Sequence, residues 1–224
     1  MKEVMERELL HDYLQTYQLG LIFQEPLISH LSLYSFETGE LICSQGEISE
    51  YLYVLVKGKI KVYNTSTEGK TLIISFKTPL EVIGEIEYLR NIEFINTVQA
   101  VTPVYMIAVH HRWLNQYGKD HAPLLQFLLD IITEKFCQKS NSFSLNLMYP
   151  VEVRLASYLL AISSDGSFAL SVVDTANQIG TSYRHLNRVL QRFSTEGLIE
   201  RKKGGLLIKD REGLSQIASH NIYE

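Results

Sequence analysis

The sequence is poor in cysteine and has no long apolar run. Its two cysteines, Cys43 and Cys137, are far apart and form no C-x-x-C pair. One chain therefore cannot supply the clustered thiolates of a zinc knuckle or a cysteine-ligated iron–sulfur cluster, and a structural thiol is expected at each position. No stretch approaches the roughly 18 apolar residues that cross a bilayer, and no basic segment followed by an apolar one opens the sequence. These absences predict a cytoplasmic protein without a membrane partner.

The sequence also lacks the short motifs that usually carry catalysis. It contains no H-E-x-x-H, G-x-S-x-G, P-loop or G-x-G-x-x-G phrase. His110 and His111 are adjacent at the end of a predicted strand, so they point to opposite faces and do not favour haem or metal ligation. We therefore expect a protein that is not an enzyme and that holds no metal.

The charge of the sequence is unevenly distributed. The whole chain has a net charge of −4, which does not favour indiscriminate binding to nucleic acids. Residues 181–224 nevertheless carry eight basic and five acidic side chains, a net charge of +3, whereas residues 1–180 have a net charge of −7. The excess positive charge is therefore concentrated near the C-terminal end, where it can meet an anionic partner.

Residues 170–209 have the pattern of a helix, a tight turn, a second helix and a basic hairpin. Ser171 can cap the first helix, and Gly180 can adopt the positive φ that ends it. Thr181 and Ser182 can cap the second helix, over residues 182–194, which has one apolar and one polar face. The apolar residues of the two helices are Val172, Val173, Ala176, Ile179, Leu186, Val189, Leu190 and Phe193, and the outward ones of the second helix are Tyr183, Arg184, Asn187, Arg188 and Gln191.

A basic hairpin is predicted after the second helix. Gly197 can end that helix, and the segments LIER and LLIK predict two strands with Lys203, Gly204 and Gly205 at the tip. Two closely joined helices cross steeply, which presents the second as a rod about as wide as a DNA major groove. A helix, a turn and a helix also occur inside ordinary helical domains, but the local positive charge favours a winged helix-turn-helix that binds DNA.

Residues 28–109 predict short strands separated by glycines. Residues 59–63 alternate polar and apolar side chains, and no helical segment intervenes between the strands. This spacing is typical of a small antiparallel barrel or sandwich. Residues 3–23 predict a helix that packs on it through Val4, Leu9, Leu10, Tyr13, Leu14 and Tyr17.

One long helix is predicted from His121 to about Leu147. Seven of the nine residues from Leu124 to Ile132 are apolar, too many for a helix that is buried on one side only. One face is expected to pack on its own barrel and the other to pair with a second subunit through Leu125, Leu128, Ile132 and Phe136. Burial within one monomer is the alternative. Tyr149 and Pro150 are expected to end the helix, because proline disfavours helical geometry in the preceding residue.

The order of these parts resembles the Crp/Fnr family of bacterial transcription regulators. The resemblance covers nearly the whole chain from about residue 20 and includes the phrases ETGELICSQGEISEYLYVLVKGKIKVY, EGKTLIISF and IGEIEYL. Residues 181–218 look most like the YeiL-type branch. The resemblance implies an α+β fold with a cyclic-nucleotide-binding-like β-roll, or jelly roll, over residues 1–118, a dimerisation helix over 119–148 and a winged helix-turn-helix over 149–224. It also implies a homodimer that binds a near-palindromic promoter site in double-stranded DNA.

The expected effector pocket departs from the family's cyclic-nucleotide pattern. In members that bind a cyclic nucleotide, the Gly and Glu of a G-E-[LI] phrase hold the ribose, and Gly84 and Glu85 match them. The arginine and hydroxyl residue that hold the phosphate are replaced by Phe94 and Ile95, which would cost a buried phosphate on the order of several kcal/mol. Arg90 lies four residues too early to substitute. Cyclic AMP is therefore not expected, and the pocket is either filled or lined for an unknown apolar ligand.

The resemblance implies no other cofactor. The oxygen-sensing branch holds an iron–sulfur cluster with N-terminal cysteines, and residues 1–30 contain none. Neither an iron–sulfur cluster nor haem is expected.

Many family members read DNA with an E-x-x-S-R phrase. The corresponding segment here runs from Arg184 to Arg188. Arg188 retains the arginine that suits guanine O6 and N7, whereas Arg184 replaces the glutamate, so the usual TGTGA or TTGAT half-site is not expected. Ser182, Arg192 and Lys202 are expected to contact phosphates, and Tyr183 to contact a phosphate or a thymine methyl group. The full expected DNA-binding set is Ser182, Tyr183, Arg184, His185, Asn187, Arg188, Arg192 and Lys202.

Two other functions stay open from the sequence. One is a ligand-binding regulatory module of the same roll fold that acts through protein contacts. The other is a DNA-binding regulator gated by an unknown ligand or by redox chemistry. RNA polymerase is a further partner if the protein activates transcription, and the residues do not distinguish activation from repression.

Overall fold

A computed structural model describes residues 1–69, 71–163, 167–202 and 205–218. The chain divides into two compact units, Met1–Phe136 and Cys137–Glu224. The domain boundaries expected after residues 118 and 148 stay a prediction. Over the described ranges, no helix is long and apolar enough to cross a membrane.

The first unit is built on two antiparallel sheets. The five-stranded sheet has the order β1-β2-β9-β4-β7, and the four-stranded sheet has the order β3-β8-β5-β6. This arrangement confirms the predicted strand-rich roll, but a short helix over Glu85–Arg90 lies between the last strands, where the sequence predicted none. The strands are β1 (Lys2–Val4), β2 (Leu31–Phe36), β3 (Leu41–Cys43), β4 (Tyr51–Lys57), β5 (Ile60–Thr65), β6 (Thr71–Lys77), β7 (Glu81–Ile83), β8 (Thr97–Ala100) and β9 (Val104–His110).

Strand β4 contributes side chains to two hydrophobic cores, one on each face of its sheet. Leu52, Val54 and Val56 belong to a cluster that includes residues of the flanking helices, whereas Tyr53 and Leu55 belong to the cluster between the sheets. Successive strand side chains point to opposite faces, so a strand covered on both faces is apolar at nearly every position. The segment YLYVLVK meets that requirement.

The helices of the first unit are shorter at the N-terminal end than the sequence predicts. They are α1 (Arg7–Thr16), α2 (Glu85–Arg90), α3 (His111–Trp113) and the first part of α4 (Ala122–Met148), with single turns at Leu19–Leu21, Leu27–His30 and Leu114–Gly118. Val4, expected on a helix, pairs with Leu33 in the sheet instead. The helix expected over residues 3–23 is therefore wrong at both ends, because β2 offers a free edge to residues 2–4 and the backbone at Gln18 turns left-handed, with a φ of 54°.

The long helix α4 presents two different faces. Leu124 and Leu128 are buried in the core of the first unit, with exposed fractions of 1% and 2%. Leu128 was expected in the subunit contact and instead lies one helical turn from Leu124, on the face that covers its own roll. Leu125 and Phe136 are exposed, as is Leu129, which the sequence did not single out.

The second unit begins within α4 and includes the break that follows this helix. Helix α4 ends at Met148 and α5 begins at Val151, with Pro150 at its N-cap, which confirms the predicted end of the long helix. The remaining elements are α5 (Val151–Ile162), β10 (Ser167–Ala169), α6 (Val172–Gln178), α7 (Tyr183–Thr195), β11 (Ile199–Lys202), β12 (Gly205–Ile208) and α8 (Arg211–Ala218). The three strands form a sheet in the order β10-β12-β11. The sequence did not predict β10.

Candidate nucleic-acid interface

The turn between α6 and α7 has the capping groups that the sequence predicts. Gly180 has a φ of 65°, and Thr181 N donates to Ala176 O at 2.8 Å. Ser182 is the N-cap of α7, since its Oγ accepts from the backbone N of His185 at 3.1 Å. The hydroxyl expected to contact a phosphate therefore already stabilises the start of the helix.

Helix α7 is buried on one face and ends where predicted. Its inward residues are at most 3% exposed, and they are Leu186, Val189, Leu190 and Phe193. Leu198 N donates to Phe193 O at 2.9 Å, Gly197 N donates to Ser194 O at 3.2 Å, and Gly197 has a φ of 76°. These bonds form a Schellman motif, which ends the helix and directs the chain into β11.

The exposed face of α7 carries two arginines. Arg184 and Arg188 are four residues apart, so they lie one above the other on the same side of the helix. In the described part of the chain, neither guanidinium has a hydrogen-bond or ion-pair partner. Tyr183 stands beside them and is 53% exposed. This face therefore offers unpaired donors and positive charge to an anionic ligand.

Arg192 has partners within its own unit. Its guanidinium lies 3.2 Å from Oε1 of Glu152 and 3.6 Å from Oε1 of Glu196. Two carboxylates near one exposed guanidinium cancel much of its field. Arg192 stays a predicted phosphate contact, but these carboxylates would also lie close to that phosphate and weaken the contact.

The hairpin after α7 differs slightly from the prediction. Strands β11 and β12 pair in antiparallel register, with Lys202 opposite Gly205. Gly205, expected at the tip, is the first residue of β12, while Lys203 and Gly204 lie outside the described residues. Lys202 is exposed and, among the described residues, has no ion-pair partner.

Asn187 uses both ends of its amide inside the second unit. Its Nδ2 donates to Tyr183 O at 3.2 Å, and its Oδ1 accepts from Nη2 of Arg201 at 3.1 Å. Sequence reasoning placed Asn187 on the outward face and missed Arg201. The alternation of β11 could have revealed Arg201, since it shares a strand face with the buried Ile199.

A buried arginine stabilises the turn between α6 and α7. Arg154, on α5, is only 4% exposed. Its Nε donates to Tyr149 O at 3.1 Å, and its Nη1 donates to Gly180 O at 3.2 Å and also to Ile179 O. The side chain thus satisfies carbonyls at the end of α6 and holds the turn that leads into α7. No local pattern in the sequence indicates this role.

The expected effector residues lie in the first unit around α2. Gly84 has a φ of 93° and precedes α2, and a methyl group placed on it would lie 2.8 Å from Tyr51 O. Glu85 is 4% exposed, and its Oε1 accepts from Nζ of Lys135 at 2.8 Å. The same Nζ donates to Val82 O at 2.7 Å and pairs with Glu81. The glutamate that matches the ribose-binding residue is therefore paired within the chain.

Phe94 and Ile95 have different surroundings. Phe94 is 7% exposed and belongs to the core between the sheets, and its ring lies 3.6 Å from the position of a methyl group placed on Gly84. Ile95 is 41% exposed, and its backbone N donates to Oε1 of Glu87 at 3.0 Å. The structure brings Phe94 close to Gly84 and leaves the Ile95 side chain at the surface.

Comparisons with known proteins match both units. A model of the cyclic nucleotide-binding domain matches residues 33–121, and a model of the Crp-like helix-turn-helix domain matches residues 153–217. The regulatory protein YeiL of Escherichia coli O157:H7 is 28% identical over 186 residues, which cover 83% of this chain and 85% of that protein. A CRP-like cAMP-activated global transcriptional regulator of Mycobacterium tuberculosis is 22% identical over 202 residues, 86% of this chain and 90% of that protein.

Solved structures have the same fold. The c-di-GMP responsive global regulator CLP of Xanthomonas campestris matches with a TM-score of 0.67 at 16% identity, over 85% of this chain and 98% of that one. FixK2 of Bradyrhizobium japonicum matches with a TM-score of 0.61 at 20% identity, over 84% and 96% of the two chains. The matched domains and the curated relatives are those of DNA-binding transcription regulators and not of enzymes. The chain belongs to the Crp/Fnr family of transcription regulators.

Proposed function

We propose that the chain acts as a homodimer that binds a near-palindromic promoter site, with one α7 helix in each half-site. The observation that carries this proposal is the face formed by Arg184 and Arg188. Both guanidinium groups are exposed and, within the described residues, unpaired, on a helix whose opposite face is fully buried. An arginine fork suits guanine O6 and N7 in the major groove.

The base preference follows from the two arginines. Arg188 reads a guanine, and Arg184 donates where many family members present an acceptor, so the half-site differs from TGTGA and TTGAT. Tyr183 contacts a phosphate or a thymine methyl group, while Ser182 and His185 support the start of the helix. Lys202 contacts the phosphate backbone from the hairpin.

The homodimer is supported by the exposed apolar face of α4. Leu125, Leu129, Ile132 and Phe136 follow one another at intervals of four, three and four residues, which is the spacing of a coiled-coil seam. Leu125, Leu129 and Phe136 are 41%, 57% and 69% exposed, and Ile132 is half-buried. The same helix in a second copy supplies a matching surface, and a two-fold dimer explains why the DNA site is near-palindromic.

The proposed dimer binds DNA without cyclic AMP. Glu85 is paired with Lys135, and Phe94 fills space beside Gly84. A cyclic phosphate at this position would contact the apolar ring of Phe94. Phe94 and Ile95 replace the residues that hold the phosphate in cyclic-nucleotide-binding members, and neither carries a positive charge. A buried ion without a partner is strongly unfavourable. Neither an iron–sulfur cluster nor haem is part of the proposal. A dimer bound to promoter DNA acts in the cytoplasm, next to RNA polymerase, which is its expected protein partner.

Selection of DNA from a random pool by the untreated protein tests this function. The expected result is a near-palindromic consensus with half-sites about 10 base pairs apart, centre to centre, and binding that weakens as salt rises. The same selection with cyclic AMP present should return the same consensus at the same affinity. Binding that shows no sequence preference at any salt concentration would overturn the proposal in favour of a regulatory module that contacts protein.

A further inference from the structure

Strand β11 directs its side chains to two different sides of the hairpin. Ile199 is 2% exposed and lies in the core of the second unit together with residues of α7. Arg201, two positions later, points to the same side because strand side chains alternate. Glu200 points to the other side, where its Oε2 lies 3.8 Å from Nζ of Lys209, and Lys202 shares that side. Arg201 is therefore the hairpin cation that lies along α7.

The guanidinium of Arg201 is oriented by Asn187. Nη2 of Arg201 donates to Oδ1 of Asn187 at 3.1 Å, and Nδ2 of Asn187 donates to Tyr183 O at 3.2 Å. The amide thus connects the hairpin to the first turn of α7. An asparagine that reads adenine needs both its oxygen and its nitrogen for the base, and here both already have partners.

Most of the hydrogen-bond donors of Arg201 remain available to a ligand. A guanidinium has five N–H donors and stays charged at every pH that a protein tolerates, and one donor is used by Asn187. The side chain is exposed, and no acidic side chain among the described residues pairs with it. It lies instead near the helix that carries Arg184 and Arg188, so three cations share one region. That concentration of positive charge is unfavourable alone and becomes favourable beside a polyanion.

We propose that Arg201 contacts a DNA phosphate beside the recognition helix and that Asn187 is the positioning residue for Arg201 and does not read a base. The inference rests on the proposed function, because it assigns roles within the same DNA-binding face. It also distinguishes Arg201, which lies against α7, from Lys202, which projects from the opposite side of β11.

The first test removes the charge of Arg201 in the full-length protein and measures affinity for the selected DNA over a range of salt concentrations. Arg201→Ala should weaken binding about tenfold for every sequence and reduce the salt slope by about 0.9 for each subunit. Lys209→Ala is the matched control, since it removes a hairpin cation already paired with Glu200, and its slope should stay unchanged. Arg201→Lys should restore the slope but not the full affinity, because it keeps the charge and loses the fork.

The second test asks whether Asn187 acts through Arg201. Asn187→Ala should weaken binding about threefold with the base preference and the salt slope unchanged, and it should have no further effect when Arg201→Ala is already present. A change of base preference in Asn187→Ala, or equal effects with and without Arg201, would overturn the positioning role. An unchanged salt slope in Arg201→Ala would overturn the phosphate contact.

The controls separate this inference from the proposed function. Circular dichroism and thermal melting of each variant identify any loss of folding, and Arg201→Gln, which removes the charge but keeps much of the bulk, replaces Arg201→Ala as the decisive variant if the latter unfolds. Lack of selective DNA binding by the unmodified protein would instead contradict the proposed function itself. If the unmodified protein binds DNA selectively and the Arg201 variants bind with the same affinity and salt slope, only the inference is contradicted.

Discussion

Nζ of Lys135, on the long helix, lies 2.8 Å from Oε1 of Glu85, at the start of α2. The two side chains are 20% and 5% exposed, and the same ammonium pairs with Glu81. Burial alone would lower the pKa of Lys135, but the carboxylates of Glu85 and Glu81 outweigh it and raise the pKa above the ordinary lysine value. Lys135 is therefore charged at neutral pH and fastens the helix to the roll at the residue that matches a ribose ligand in relatives.

Replacing Lys135 by methionine should destabilise the first unit. Glu85 would remain buried without a cation, a loss of about 3 kcal/mol in the free energy of unfolding at pH 7. The pKa of Lys135 is raised in the folded protein, so the ion pair contributes its stability below the ordinary lysine pKa of 10.5 and loses it as pH rises further. The loss in the variant should therefore shrink as pH rises through this range. Urea unfolding at several pH values measures both effects.

Two variants control this experiment. Lys139→Met removes an exposed lysine of the same helix and should change the free energy of unfolding by less than about 0.5 kcal/mol. Adding Glu85→Gln to Lys135→Met should recover part of the stability, because no buried charge is then left without a partner. Equal losses in the two lysine variants would show that the Lys135 ion pair contributes nothing specific.

Cyclic AMP should neither bind the protein nor alter its affinity for DNA. Glu85 is engaged by Lys135, and Phe94 is buried next to Gly84, so the contacts that hold the ribose and the phosphate are missing. Calorimetric titration of the protein with cyclic AMP should give no heat of binding. The cAMP-activated relative from Mycobacterium tuberculosis serves as the positive control. Tighter DNA binding in the presence of cyclic AMP would contradict the expectation.

Replacing Arg188 and replacing Lys202 should weaken DNA binding in different ways. Arg188→Ala should cost roughly 1 to 3 kcal/mol of binding free energy and relax the preference at one base pair in each half-site, because a base contact is lost. Lys202→Ala should weaken binding to all sequences alike and reduce the salt slope, because a phosphate contact is lost. Competition assays with single-base variants of the site measure both. An Arg188→Ala protein with unaltered preference would mean that another side chain reads that base.

Variants of two neighbouring leucines on α4 should affect different properties, one the stability of the fold and the other the formation of the dimer. Leu128 is 2% exposed, so Leu128→Ala should lower the free energy of unfolding by about 2 to 5 kcal/mol through the cavity it leaves. Leu129 is 57% exposed, so Leu129→Glu should leave the subunit folded and shift the protein from dimer to monomer. Analytical ultracentrifugation and thermal melting measure the two effects. A dimer that tolerates Leu129→Glu would place the subunit contact on another surface.

The two thiols should differ in reactivity. Burial raises the pKa of the Cys43 thiol to about 12, so almost no thiolate is present at pH 8, whereas Cys137 is exposed on α4. A thiol reagent at pH 8 should therefore modify one cysteine per chain quickly and the second only after unfolding. Cys137→Ser should remove the fast reaction. Rapid modification of Cys43 in the folded protein would favour a redox role for that residue.

Some features follow from the sequence because they depend on neighbouring residues. The period of the side chains predicts β5 and α7, Ser182 and Gly197 mark the ends of α7, and Pro150 ends the long helix. Capping bonds span three to five residues, and strand and helix periods repeat within one element, so these signals lie within a short window. The family resemblance rests on the same local phrases.

Other features required the tertiary structure. The bonds from Lys135 to Glu85, from Arg201 to Asn187 and from Arg192 to Glu152 join residues that are 14 to 50 positions apart. No local pattern encodes such pairs, because packing of whole elements decides which side chains meet.

The DNA-binding face contains both local features and features that depend on tertiary packing. The sequence by itself determined that α7 is amphipathic and carries Arg184 and Arg188 outward, because helical periodicity fixes which residues share a face. Only the tertiary structure decided which of its polar residues stay free. It paired Asn187 with Arg201 of a strand 14 residues away and Arg192 with Glu152 of α5, since the partner of an exposed side chain depends on the element that folds against it.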